Sequence, residues 1–103
     1  MTAVYGTVIL TGVIEQEDNQ FVGYCRELGT SSCGDTVQEA IHNLDEAIEV
    51  HLSGLIETGE LQRFLRERNV RIEVQPHSDG PLVRVPPDKI ITTYQKSVPV
   101  GAA

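Results

Sequence analysis

Over residues 36–59 the apolar side chains Val37, Ala40, Ile41, Leu44, Ile48, Leu52 and Leu55 recur at steps of three and four. A helix turns that spacing into a single stripe, because 3.6 residues per turn bring these positions onto one side. Thr36 stands where an N-cap hydroxyl is needed, and Glu39 three residues later completes a capping-box pattern. Gly59 supplies the stop. A long one-sided helix must bury its stripe against something, and 103 residues leave room for one core. The rest of the chain therefore has to provide one surface for this helix to lie on.

The residues before the helix read as that surface. Residues 4–16 are rich in Val, Ile and Thr, which suit a pleated sheet. Val8, Leu10 and Ile14 alternate onto one side, with Thr7, Thr11 and Glu15 on the other. Ile9 and Val13 break the alternation, so both faces of this strand are expected to be partly covered. Glu17-Asp18-Asn19 makes a polar turn, residues 20–28 return as a hairpin partner, and residues 30–33 offer a short third strand. Beyond the helix, residues 60–68 form a shorter helix burying Leu61, Phe64 and Leu65, and residues 70–75 a further strand. The expected fold is α+β: a two-layer β-β-β-α-(α)-β domain, three antiparallel strands plus a fourth, with the helices on one face. Residues 1–75 make up that domain. Residues 76–103 contain all five prolines and are expected to be a C-terminal tail. Segments 82–85 and 89–98 could be strands there, available for oligomerisation.

Charge is unevenly spread along the chain. Residues 1–59 hold ten acids and one base, Arg26, whereas residues 60–103 hold five acids and seven bases. An acidic first part repels nucleic acid, whose binding needs Lys and Arg against phosphate, and attracts a basic protein. The helix carries Glu39, Asp45, Glu46, Glu49 and Glu57 with no lysine or arginine among them. Spacings such as Asp45 to Glu49 cost a few tenths of a kcal/mol. Such a face is either a solvated surface or one left unpaired for a basic partner.

Chemistry-bearing patterns are few. There is no phosphate-binding glycine loop, zinc-ligand spacing or nucleophile elbow. Cys25 and Cys33 match no disulfide framework and read as small buried hydrophobes. His42 and His51 lie on opposite sides of the helix at about 100° per residue, so they cannot share a metal. His51 falls near the apolar stripe as a hydrogen-bonded, partly buried histidine, and His77 lies in the tail. A two-metal nuclease would need Glu15 to converge with Glu46 or Glu49. The middle of the first strand has no acid to complete it. No catalytic or metal role is assigned to any residue, and no cofactor is expected. No apolar run approaches the ~18 residues that span a bilayer, and the first residues lack a secretory signal, which sets the expectation of a cytoplasmic protein.

One resemblance adds to this reading. Phe21-Val22-Gly23-Tyr24-Cys25-Arg26-Glu27-Leu28-Gly29, then Gly34-Asp35-Thr36, Glu39-Ala40, Asn43-Leu44 and Glu46-Ala47-Ile48, resembles the HicB-like antitoxins over roughly residues 5–75. Arg26 stands where the family usually has proline, and Gly29-Thr30-Ser31 where Pro-Gly-Cys often follows. The resemblance implies a partial ribonuclease H-like fold and a partner toxin of the HicA type, a small basic ribonuclease that the antitoxin binds and occludes. Many family members also carry a C-terminal DNA-binding module. Residues 76–103 contain no recognisable one, so direct DNA binding is not expected. Glu39, His42, Glu46 and Glu49 are the residues expected to face the partner, and a homodimer or higher homo-oligomer is expected. The alternatives are a structural or regulatory homo-oligomer without a toxin, and a weak metal-dependent nuclease.

Overall fold

A computed structural model describes residues 3–70, 72–73 and 89–102. In chain order they form β1 (Ala3–Glu17), β2 (Gln20–Cys25), β3 (Ser31–Gly34), α1 (Val37–Glu57), α2 (Leu61–Glu67), β4 (Ile72–Glu73) and β5 (Ile90–Ala102). The strands make one antiparallel sheet, connected in the order β3-β2-β1-β4, with β5 also paired to β1. This is the α+β, helix-on-sheet arrangement that the sequence predicts, with a fifth strand added.

Pairing fixes where each strand lies. β5 runs beside β1 from Ala3↔Ala102 to Ile14↔Ile90, which occupies one edge of β1 almost completely. A strand has two edges, so β2 (Gly12↔Cys25 to Glu17↔Gln20) and β4 (Thr7↔Glu73, Val8↔Ile72) share the other. β1 is therefore the central strand. Between β2 and β4 the backbone of Thr11 is met by a side chain: Glu27 accepts its N–H at 2.7 Å and its hydroxyl at 2.9 Å. The Thr11 carbonyl accepts from the Arg26 N–H at 3.0 Å.

The core lies between this sheet and α1. Val8, Leu10 and Ile14 from β1 meet Ala40, Leu44, Ile48 and Leu52 from α1, with Leu61 and Leu65 from α2 closing one end. Each large side chain so removed from water contributes about 1.5–3 kcal/mol. Leu44 sits in a notch made by glycine: a Cβ on Gly12 would lie 3.1 Å from Leu44 Cδ2 and 2.7 Å from Tyr94 Cε2. The opposite face of β1 is covered as Ile9 and Val13 suggest. Val13 is buried outside the main cluster, between Tyr24 of β2 and Ile91 of β5 across the sheet.

Both helices end in the same way. After α1, the Gly59 N–H bonds Ile56 O and the Glu60 N–H bonds Leu55 O, with Gly59 at φ +74. After α2, Asn69 at φ +56 does likewise, its N–H to Arg66 O and that of Val70 to Leu65 O. These are Schellman closures, which need one left-handed residue just past each helix.

The largest departure from expectation concerns residues 76–103. Residues 90–102 are the longest neighbour of β1, and Tyr94 and Val98 belong to the core. Part of the expected tail thus belongs to the same sheet as residues 1–75. The strand expected over residues 70–75 is described only as Ile72–Glu73, and segment 82–85 and His77 lie outside the described residues. Cys25 is buried as anticipated, but Cys33 is exposed, because β3 is a short edge strand.

Candidate protein-binding face

The orientation of α1 is set at its start. Thr36, extended at φ −129, accepts the Glu39 N–H at 3.1 Å. The Glu39 carboxylate meets the Thr36 hydroxyl at 3.5 Å, so the cap forms while the carboxylate's expected bond to the Thr36 backbone N–H is not what it makes. Gly34 lets the chain turn in closely, since a Cβ there would stand 2.6 Å from Ala40 N and 2.7 Å from Glu39 Cβ. Asn43 then ties the helix to β3 by donating to Cys33 O at 2.8 Å.

With the buried stripe down, Glu39, His42, Glu46 and Glu49 fall within roughly 80° of one another on the opposite side. All four are exposed. Val50, 74% exposed, lies about 20° beyond Glu39, at the edge of that sector and one turn along the helix from Glu46. The face is thus acidic with an apolar point at its edge.

The partners of the helix acids come from β5 and from the helix itself. Lys96 of β5 turns under the helix, with only 14% of its side chain exposed, and holds Asp45 Oδ1 together with Glu49 Oε1, the latter at 2.6 Å. His42 Nε2 lies 3.0 Å from Glu46 Oε1. The expected unpaired surface is therefore corrected for Asp45 and Glu49: on the flank of α1 toward β5, a lysine about fifty positions away in sequence pairs with both and offsets one of their two charges. Burial alone would lower the Lys96 pKa, but the hydrogen bonds and charges of Asp45 and Glu49 outweigh it and raise it overall. Beside it, Tyr94 Oη donates to Ile41 O at 2.7 Å. Burial and the nearby Asp45 charge push its pKa up to about 12.

The remaining titratable groups have structural surroundings. His51 Nδ1 lies 2.7 Å from Thr30 Oγ1, and its ring meets Phe64 edge-on at 5.4 Å. That matches a hydrogen-bonded, partly buried histidine. Arg68 lies over Phe64, 4.8 Å from the ring centroid. Cys25 is desolvated, which raises its thiol pKa, and the Glu27 charge adds to this. Glu15 alternates onto the sheet face away from α1 and pairs with Lys89 at 2.9 Å, so it does not converge with Glu46 or Glu49. Among the described residues no three His, Cys, Asp or Glu side chains group as metal ligands.

Sequence reasoning missed Lys96 and Glu27. For Lys96, the one local signal is its place two residues after Tyr94 and two before Val98, on the strand's apolar alternation. Glu27 carries no such signal, because its role is to fill a gap between two strands that are distant in sequence. Among the described residues no helix is long and apolar enough to cross a membrane. No protein-family model, curated protein or solved structure matches this chain.

Proposed function

We propose that this protein is an antitoxin of the HicB-like kind, which binds a small basic ribonuclease and covers its RNA-binding surface. The observation that carries the reading is the exposed side of α1, where Glu39, Glu46 and Glu49 share one sector with Val50 at its edge and no lysine or arginine comes from the helix itself. Acidic side chains steer a basic protein toward them and fix its register. An apolar side chain beside them gives such a contact a point that binding can desolvate.

The order of elements adds support. A hairpin, a short third strand and a helix opened by Gly34-Asp35-Thr36 follow the order that the family resemblance implies. Lys96 refines the face: its clamp on Asp45 and Glu49 leaves Glu39 and Glu46 as the acids without a lysine or arginine partner among the described residues. The docking surface is accordingly centred on Glu39, His42 and Glu46, with Val50 at one rim and Glu49 at the other.

Capture of partners from the source cells tests the reading. A stoichiometric small basic protein with ribonuclease activity, inhibited on binding, supports it. Its absence from the captured material favours a homo-oligomer without a toxin. Replacing Glu46 and Glu49 by lysine should weaken that binding at low salt while far-UV circular dichroism stays unchanged.

A further inference from the structure

We infer that a second copy of this chain extends the sheet along the outer edge of β5, strand against antiparallel strand about a two-fold axis. The inference is independent of the toxin reading and holds whether or not a ribonuclease partner exists. Among the described residues no strand pairs that edge. Which backbone groups it presents follows from β1. Thr11 directs its N–H to Glu27 and its C=O to the Arg26 N–H, both on the β2 side. Thr11 and Thr93 are therefore a facing pair that exchanges no hydrogen bonds, and the Thr93 N–H and C=O point away from β1. By the period of two, Ile91, Gln95 and Ser97 do the same. The next position in that series is Pro99, which has no N–H to present. Proline in a strand belongs at just such an outward position.

Three observations favour a copy of the same chain as the occupant. First, the protein carries a net charge of −7, so two copies repel each other over most of their surface. Along the β5 flank most of the local charge is offset: Lys96 holds Asp45 and Glu49, and Lys89 holds Glu15. Second, the usual guards of an open edge are missing along residues 91–97. The one lysine there points inward, and Ile91, Thr93, Gln95 and Ser97 are uncharged. The opposite sheet edge is guarded, since β3 has four residues and Asn43 already occupies the Cys33 carbonyl. Third, an antiparallel strand meeting its own copy is self-complementary, the requirement of a two-fold contact. Centred on Tyr94, the pairing sets Ile91 of one copy against Ser97 of the other, and Thr93 against Gln95.

Sedimentation equilibrium of the full chain, from micromolar to sub-millimolar concentration, tests the inference together with two variants. The wild type should sediment at twice its 11.3 kDa chain mass. Gln95→Pro removes an outward N–H and none of the bonds to β1. With two symmetry-related hydrogen bonds lost, dimerisation should weaken by about thirtyfold. Gln95→Lys places a like charge on each side of the axis and should shift the equilibrium the same way, with an unchanged circular dichroism spectrum, so the test survives if the proline variant does not fold. Amide exchange at Thr93 and Gln95 should be slow in the wild-type dimer and fast in the lysine variant. A wild-type monomer throughout the range overturns the inference, as does a dimer unaffected by folded variants. Slow exchange at those amides in a monomer would assign the edge to another part of the chain and overturn it equally.

Discussion

Replacing Lys96 with methionine separates the charge of this residue from its packing, because methionine keeps an unbranched apolar stem of similar length under α1. Lys96 joins Asp45 and Glu49, whose side chains are 42% and 59% exposed. At such half-open sites each ion pair is worth about 0.5 kcal/mol. Removing the ammonium also leaves Asp45 and Glu49 as like charges four positions apart on one helix, which costs about 0.3 kcal/mol more. The expected loss is about 1–1.5 kcal/mol at low salt, or roughly 5–10 °C in Tm for a domain of this size. In about 1 M salt, where screening acts within about 3 Å, the loss should fall by half or more. Urea and thermal unfolding followed by circular dichroism would measure it. The comparison is with the same substitution in an Asp45→Asn, Glu49→Gln background, so that the coupling is read directly. Two protein concentrations keep any contribution from self-association apart. If Lys96→Met costs the same in both backgrounds and at both salts, the stabilisation comes from packing and the electrostatic account of this seam is wrong. The same substitution exposes two more acids, so it should tighten binding of a basic partner several-fold at low salt.

Other perturbations test other parts of the structure. Gly34→Ala should cost about 1–3 kcal/mol, because its Cβ would meet the α1 backbone at Ala40 N, and a urea midpoint near wild type would contradict the close approach. Thr36→Ala removes the acceptor of the Glu39 N–H and should cost about 1 kcal/mol in the same assay. Alkaline pH should loosen the β5–α1 seam. The Tyr94 pKa is raised to about 12 and that of Lys96 above its ordinary 10.5. For groups whose pKa is raised by folding, the stability they contribute is complete below the unfolded value and is lost as pH rises through the folded one. Stability should therefore decline from about pH 10 upward, and Tyr94→Phe should remove part of that slope. A flat profile between about pH 10 and 12 in the wild type would refute it.

The sequence made local features legible. The three-and-four spacing of Ala40, Leu44, Ile48 and Leu52 appears as the buried side of α1, and Thr36 caps it where the pattern predicts. Val8, Leu10 and Ile14 share the inner face of β1 for the same reason, a period that a strand imposes on its own side chains. What stayed hidden depends on contacts between distant segments. The place of β5 is decided by pairing with β1 some eighty residues earlier, and nothing in the spacing of residues 90–102 names that partner. Lys96 looks like a solvent-facing charge until the strand is docked, when its position on the inner alternation carries it under α1. Two acids of the helix, Asp45 and Glu49, are therefore paired where the spacing alone leaves them unpaired. His51 was legible because a histidine at the margin of an apolar stripe needs a hydrogen-bond partner wherever it lands, and Thr30 provides it.

The central claim is that the outward side of α1 docks a basic ribonuclease. Its most direct test is the salt-dependent affinity of the captured ribonuclease for the wild-type chain and for Glu39→Lys/Glu46→Lys, measured by titration calorimetry alongside RNA cleavage. The account predicts stoichiometric inhibition by the wild type. It also predicts an affinity at least about tenfold weaker for the variant at low salt, the two converging as salt rises, with unfolding temperatures that match. Equal affinities at low salt, or full inhibition by the charge-reversed chain, would place the docking surface elsewhere on the molecule.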